Sequence, residues 1–164
     1  MKKRIAIVCL ALLLSGCGKT ETFETVADEW VEQVMAEPAS VSLYLPPEAA
    51  APVLESGEGA VYDCGDYEIR RQDLPAGDLS ATIQSVTGYS MEELTVLETK
   101  QGNAKRYDFV WVSASEEGEQ VGKGCILDDG NYHYVVTVLG DADTANDYQA
   151  VWQEILASFT LDQY

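Results

Sequence analysis

Basic residues and histidine are scarce in this chain. Its 164 residues include one histidine and ten Lys or Arg against 28 Asp or Glu, a formal net charge of −18. Nucleic-acid binding depends on Lys and Arg displacing counterions from phosphates, so this composition argues against that class. The lone His133 has no second ligand at metal-binding spacing, and no neighbour in sequence that would orient it as a general base. Long apolar runs are missing too. The longest, Ile5 to Leu14, falls far short of the roughly 20 residues that a bilayer-spanning helix requires. Four cysteines, at 9, 17, 64 and 125, are too few for a multiply bridged scaffold. Ser113 and Ser115 stand outside any nucleophile-elbow context, and no glycine-rich loop opens a helix to cradle phosphate. Gly122-Lys123-Gly124 falls inside a predicted strand, where glycines permit a bulge or a close backbone approach. No catalytic constellation, cofactor motif or metal site emerges, and the expectation is a protein that is not an enzyme.

What is present begins at the amino terminus. Lys2, Lys3 and Arg4 precede the apolar run, which ends in Leu14-Ser15-Gly16-Cys17. A positive start, a short apolar core and a small pair before a cysteine have the form of a signal peptide. This stretch resembles the lipobox of bacterial lipoproteins. The resemblance implies cleavage before Cys17 and a diacylglyceryl group on its sulfur, with acyl chains such as palmitate. Each buried methylene contributes about 0.8 kcal/mol, and two chains suffice for stable anchoring without a basic patch. The expected organisation is a leader over residues 1–16, a lipidated tether over 17–22 and a single globular domain over 23–164. The expected location is the extracytoplasmic face of a cell membrane. The leader holds three of the ten basic residues and none of the 28 acidic ones, which leaves the exported chain near −21. Such a body is repelled by anionic lipid within a Debye length of roughly 8–10 Å.

Export bears on the remaining cysteines. Cys9 leaves with the leader and Cys17 is consumed by lipid, so Cys64 and Cys125 face an oxidising compartment. A bridge between them would close a loop of about 60 residues and contribute roughly 4 kcal/mol on the entropic account. The alternative is two free thiols, each packed as a small apolar side chain.

Periodicity predicts the elements. Phe23, Val26, Ala27, Trp30, Val31, Val34 and Met35 recur at helical spacing before Pro38. Residues 40–45 alternate as a strand with Val41, Leu43 and Leu45 on one face, until Pro46-Pro47 imposes an irregular connection. Short strands are expected at 60–64 and 67–72, then a helix at 79–87 capped by Asp78 and closed by Gly88. Four strands follow, at about 93–100, 105–114, 119–127 and 131–139. The intervening Gly102-Asn103, Glu116-Glu117-Gly118 and Asp129-Gly130 predict hairpins, and hence an antiparallel meander. Tyr107, Phe109 and Trp111 share one strand face, while Val110 and Val112 on the other predict a sheet covered on both sides. A last helix is expected at 144–158, with Thr144 and Asp147 at capping-box spacing and Tyr148, Val151, Trp152, Ile155 and Phe159 as its apolar stripe. The pattern is that of an α/β (α+β) protein, with helices packed on the faces of a mostly antiparallel sheet.

The ending carries a family resemblance. Tyr132-His133-Tyr134-Val135-Val136-Thr137-Val138, an acidic turn and Val151-Trp152-Gln153-Glu154-Ile155-Leu156-Ala157-Ser158-Phe159 look like the carboxy-terminal part of PsbP-like proteins. The resemblance implies an antiparallel sheet between helices. It also implies the noncatalytic binding or assembly roles that serve most of that superfamily. Its motifs are packing residues, so no chemistry transfers with them.

Two functional expectations follow. The first is a membrane-anchored binding or scaffolding module that engages a protein or cell-envelope polymer. The second is a solute or divalent-cation binder, because Asp128, Asp129, Asp141, Asp143 and Asp147 near two turns offer the oxygen ligands a hard cation prefers. They depart from the calcium-loop pattern, with Asn146 where glycine and Trp152 where glutamate is required, so capping is the plainer use of these carboxylates.

Overall fold

A computed structural model describes residues 37–115 and 118–162. The leader, Cys17, the tether and the apolar stripe at 23–35 lie outside the described residues. The elements, in order, are β1 (Val41–Ser42), β2 (Leu54–Ser56), β3 (Gly59–Asp63), β4 (Tyr67–Pro75), α1 (Leu79–Thr87), β5 (Val96–Gln101), β6 (Ala104–Ser115), β7 (Gly118–Asp128), β8 (Tyr132–Asp141), α2 (Ala145–Ser158) and β9 (Thr160–Leu161). Two 3-10 turns, Pro47–Ala49 and Met91–Glu93, interrupt the connections.

Seven strands form one sheet in the order β2-β3-β4-β8-β7-β6-β5, and every neighbouring pair is antiparallel. The meander from β5 to β8 is as the turn chemistry predicts, and β8 closes the sheet by pairing with β4 along Tyr67↔Gly140 to Pro75↔Tyr132. At the β5–β6 hairpin Gly102 takes a positive φ of 61° and Asn103 does not, the pattern of a tight turn with glycine first. Asp129-Gly130 works differently from the expected pair of positive backbone angles. Gly130 alone has positive φ, and the Asp129 carboxylate closes the turn by accepting the N–H groups of Asn131 and Tyr132, both at 2.8 Å.

The two-residue alternation of strands divides the core into two layers. Tyr67, Ile69, Cys125, Leu127, Tyr134, Val136 and Val138 face α2, which buries Trp152, Ile155 and Leu156 against them and is followed by buried Phe159. Tyr107, Phe109, Trp111, Ile126 and Val135 face α1, which inserts Ile83. Helix α1 starts where Asp78 accepts the Ser80 N–H and ends at Gly88, whose left-handed backbone returns an N–H to Gln84. The predicted cap of α2 is absent, because the Thr144 hydroxyl donates back to the Asp141 carbonyl. The capping box occurs instead at Ser90–Glu93, ahead of the second 3-10 turn.

The amino-terminal strand is shorter than expected. Only Val41–Ser42 pairs, with Thr160–Leu161, while Ala39 donates its N–H to the Tyr134 hydroxyl at 2.7 Å. Among the described residues no helix is long and apolar enough to cross a membrane.

Candidate functional site

The sheet is not covered on both sides along its whole width, and this corrects one expectation from the sequence. Val110 and Val112 are 51% and 52% exposed, and Leu97, in register with Asp108 on the same face, is 60% exposed. The reason lies in strand lengths. The β5 ladder begins at Val96↔Phe109, so residues 110–115 of β6 pair with β7 on one side and, among the described residues, with no strand on the other. Pairing starts late because the Ser90–Glu93 capping box winds residues 91–93 into a turn that cannot join the ladder.

The Tyr89 hydroxyl fixes the geometry of this open side by donating to the Val112 carbonyl at 2.7 Å. In an antiparallel strand the N–H and C=O of one residue point the same way, and alternate residues point oppositely. Residues 112 and 114 therefore turn their backbone groups toward the open side, beyond the last rung of the β5 ladder. A groove of about 450 Å³ runs there, lined by Tyr89, Glu93, Leu94, Thr95, Trp111 and the two valines. Exposed Glu93 lines it, with exposed Glu92 next to it in sequence, while on the β7 side Lys123 pairs with Val110 and exposed Glu119 with Ala114. The Ser90 backbone N–H and hydroxyl both bond the Glu93 carboxylate and hold its pKa below the usual range.

The aromatic floor explains Gly122-Lys123-Gly124. Phe109 and Trp111 pair with Gly124 and Gly122, and their rings lie directly over the glycine backbone. A Cβ at Gly122 would sit 2.2 Å from the Trp111 ring, and one at Gly124 would sit 2.5 Å from Phe109. The ladder is unbroken, so the glycines serve close approach and form no bulge. Lys123, between them, places its ammonium 6.0 Å from the centre of the Trp152 ring on the other face.

The remaining sequence candidates are scattered. His133 is buried on the α1 side with Nδ1 2.8 Å from the Thr82 hydroxyl, a packed histidine held by one helix. Asp128 and Asp129 sit at one end of the ten-residue β8 and Asp141 at the other, about 30 Å away at strand rise. Asp128 and Asp129 are engaged in their turn, the second also accepting from Tyr134 at 3.0 Å. Among the described residues no group of three or more His, Cys, Asp or Glu could hold a metal ion. Ser113 lies mid-strand opposite Gln120.

The Cys64–Cys125 bridge is corrected: both thiols are free. The Cys64 N–H bonds the Tyr67 carbonyl, Tyr67 registers with Gly140 and Gly140 with Val121, four residues from Cys125 along β7. At standard spacings the two cysteines are separated by about 13 Å along the strands and about 14 Å across them, whereas a disulfide needs Cα atoms within about 7 Å. Each thiol packs into the α2-side core instead. Burial pushes the Cys125 thiol up to about 12 despite the opposing Arg106 guanidinium, and burial raises Cys64 as well. Arg106 itself ties β6 to the end of α2, donating to Asp108 and to the carbonyls of Leu156 and Phe159.

No protein-family model matches this chain, and no curated protein does. Solved structures do match. LpqN of Mycobacterium tuberculosis, described as involved in cell envelope biogenesis, superposes with a TM-score of 0.51 at 12% identity, over 78% of this chain and 87% of that one. Cyanobacterial PsbP (CyanoP) from Synechocystis superposes with a TM-score of 0.50 at 8% identity, over 76% and 94%. The fold is PsbP-like. On this PsbP-like sheet the unpaired half of β6 is the feature that residue-by-residue reading missed. The signal that could have found it was Ser90-Met91-Glu92-Glu93, whose capping-box spacing cuts the next strand short.

Proposed function

We propose that this protein is a noncatalytic binding or scaffolding module, held on the extracytoplasmic face of a membrane by lipid on Cys17. It engages a protein or cell-envelope partner through the β5–β6 surface. One observation carries the binding reading: Leu97, Val110 and Val112 stand exposed together beside a groove and a stretch of strand left unpaired among the described residues. Contiguous exposed apolar side chains with a polar rim are the usual mark of an interaction surface. The location rests on the leader sequence. LpqN, which shares the fold, is named for cell envelope biogenesis, and the leader would put this chain in a comparable compartment.

Crosslinking in the native host, with partners identified by mass spectrometry, tests the proposal. The account expects a discrete protein or polymer partner that is lost, together with membrane fractionation, when Cys17→Ser removes the acyl acceptor. A Cys17→Ser chain that still fractionates with membranes would overturn the anchor.

A further inference from the structure

We infer that the unpaired half of β6, residues 110–114, takes up an added β-strand from the partner, an extended segment in which apolar residues alternate with Lys or Arg. This rests on the binding-module reading and specifies how that surface binds.

Three observations meet at the same five residues. First, residues 112 and 114, past the end of the β5 ladder at Val96↔Phe109, aim their backbone groups at a side where no strand of the described residues pairs, and only the Val112 carbonyl is seen to take a side-chain donor there. Second, the edge residues themselves carry none of the usual sequence defences, and the cover beside them among the described residues is the segment of Tyr89 and residues 93–95 that lines the groove. Sheets blunt exposed edges with charge, proline, bulges or brevity. The outer strand β5 places Glu98 and Lys100 along its length, and β2 at the opposite edge is three residues long. Val110-Trp111-Val112-Ser113-Ala114 has no charge, no proline and an unbroken register. Third, the groove beside it gives room for a chain, and the exposed Val110 and Val112 side chains give an added strand cross-strand apolar partners.

Charge selects the occupant. A second copy of this chain would bring Glu93, which lines the groove, and the adjoining Glu92 toward their own counterparts on a body already strongly acidic, an arrangement that like-charge repulsion disfavours. A basic segment meets the same glutamates with attraction. Alternation is required because a strand presents every second side chain to the valine face.

The test uses the full chain purified in detergent and a synthetic heptapeptide in which Lys and Val alternate. Binding is followed by anisotropy, and amide exchange is followed residue by residue. The inference expects saturable binding with new protection at Val112 and Ala114. It expects affinity to fall tenfold or more when alternate peptide nitrogens are methylated, which leaves side chains and charge but removes ladder donors. Val112→Lys should abolish binding, whereas Val53→Lys, an exposed site with the same charge change, should leave it within about twofold. Absence of binding, or equal binding of the methylated peptide, overturns strand addition. Self-association lost in Val112→Lys overturns the choice of occupant. Strand addition can fail here while crosslinking still yields a partner, so the two readings are separable.

Discussion

At Gly122 and Gly124 the aromatic rings of the neighbouring strand occupy the space where a side chain would begin. Alanine at either position drives a methyl group into Trp111 or Phe109. Overpacking of this kind costs about 1–3 kcal/mol, so Gly122→Ala and Gly124→Ala are each expected to lower the unfolding free energy by that amount, read as a lower urea midpoint with no change in slope. The cysteines give a second prediction. Cys125 is fully buried and Cys64 half-buried. Thiol titration of the native chain should label Cys64 slowly and Cys125 only on unfolding, and a mass two hydrogens light would contradict the separation of the pair. The raised folded-state pKa also sets a sign for pH dependence. Stability from the neutral Cys125 thiol is fully present below its ordinary value of 9.0 and is lost as pH climbs toward about 12. Tyr134, pushed up to about 12 by burial and held there by Asp129, adds to the same decline from 10.0. Cys125→Ala should flatten the loss of stability above pH 9.

Helix α2 anchors one face of the sheet through Trp152, Ile155 and the following Phe159, each fully buried. Trp152→Ala is expected to destabilise the fold by about 3–5 kcal/mol, read from a denaturation curve followed by far-ultraviolet dichroism. Both helices and the four-strand meander were legible in the sequence because their apolar residues keep one period and their ends carry Asp78, Gly88, Gly102 and Gly130. The register of β8 against β4 was not, since Tyr67 and Gly140 meet across a separation that no local pattern encodes. Nor was β2, whose three residues Leu54–Ser56 are all exposed and so leave no burial pattern to read. The cysteine distance failed for the same reason as the β4 register: compartment chemistry favours a bridge, but only the ladder reveals four rows and three strand spacings between the thiols. The open edge of β6 was hidden because a strand expected from residue 93 would have reached Val112 in this register, whereas the ladder begins at Val96↔Phe109. His133 is buried on the sheet beside Thr82 of α1. Nothing in the sequence, however, pointed to Thr82 as its partner.

As a whole the molecule combines a PsbP-like sheet with a strongly acidic surface and, on the proposal, a lipid at Cys17. On that proposal two acyl chains would be enough to hold it at a membrane without basic residues, while its charge would keep the folded body off anionic lipid. Charge also gives the surface its preference. Association driven by attraction to Glu93 and the adjoining Glu92 should weaken as salt shortens the screening length from about 10 Å at 0.1 M toward about 3 Å at 1 M. Binding that is unchanged across that range would remove the electrostatic part of the account. The most direct measurement places a photoreactive residue at Val112, and separately at Val53, in the chain expressed in its native membrane. The account predicts one discrete crosslinked partner from position 112 and none from position 53. Equal labelling at both positions, or none at 112, would contradict it.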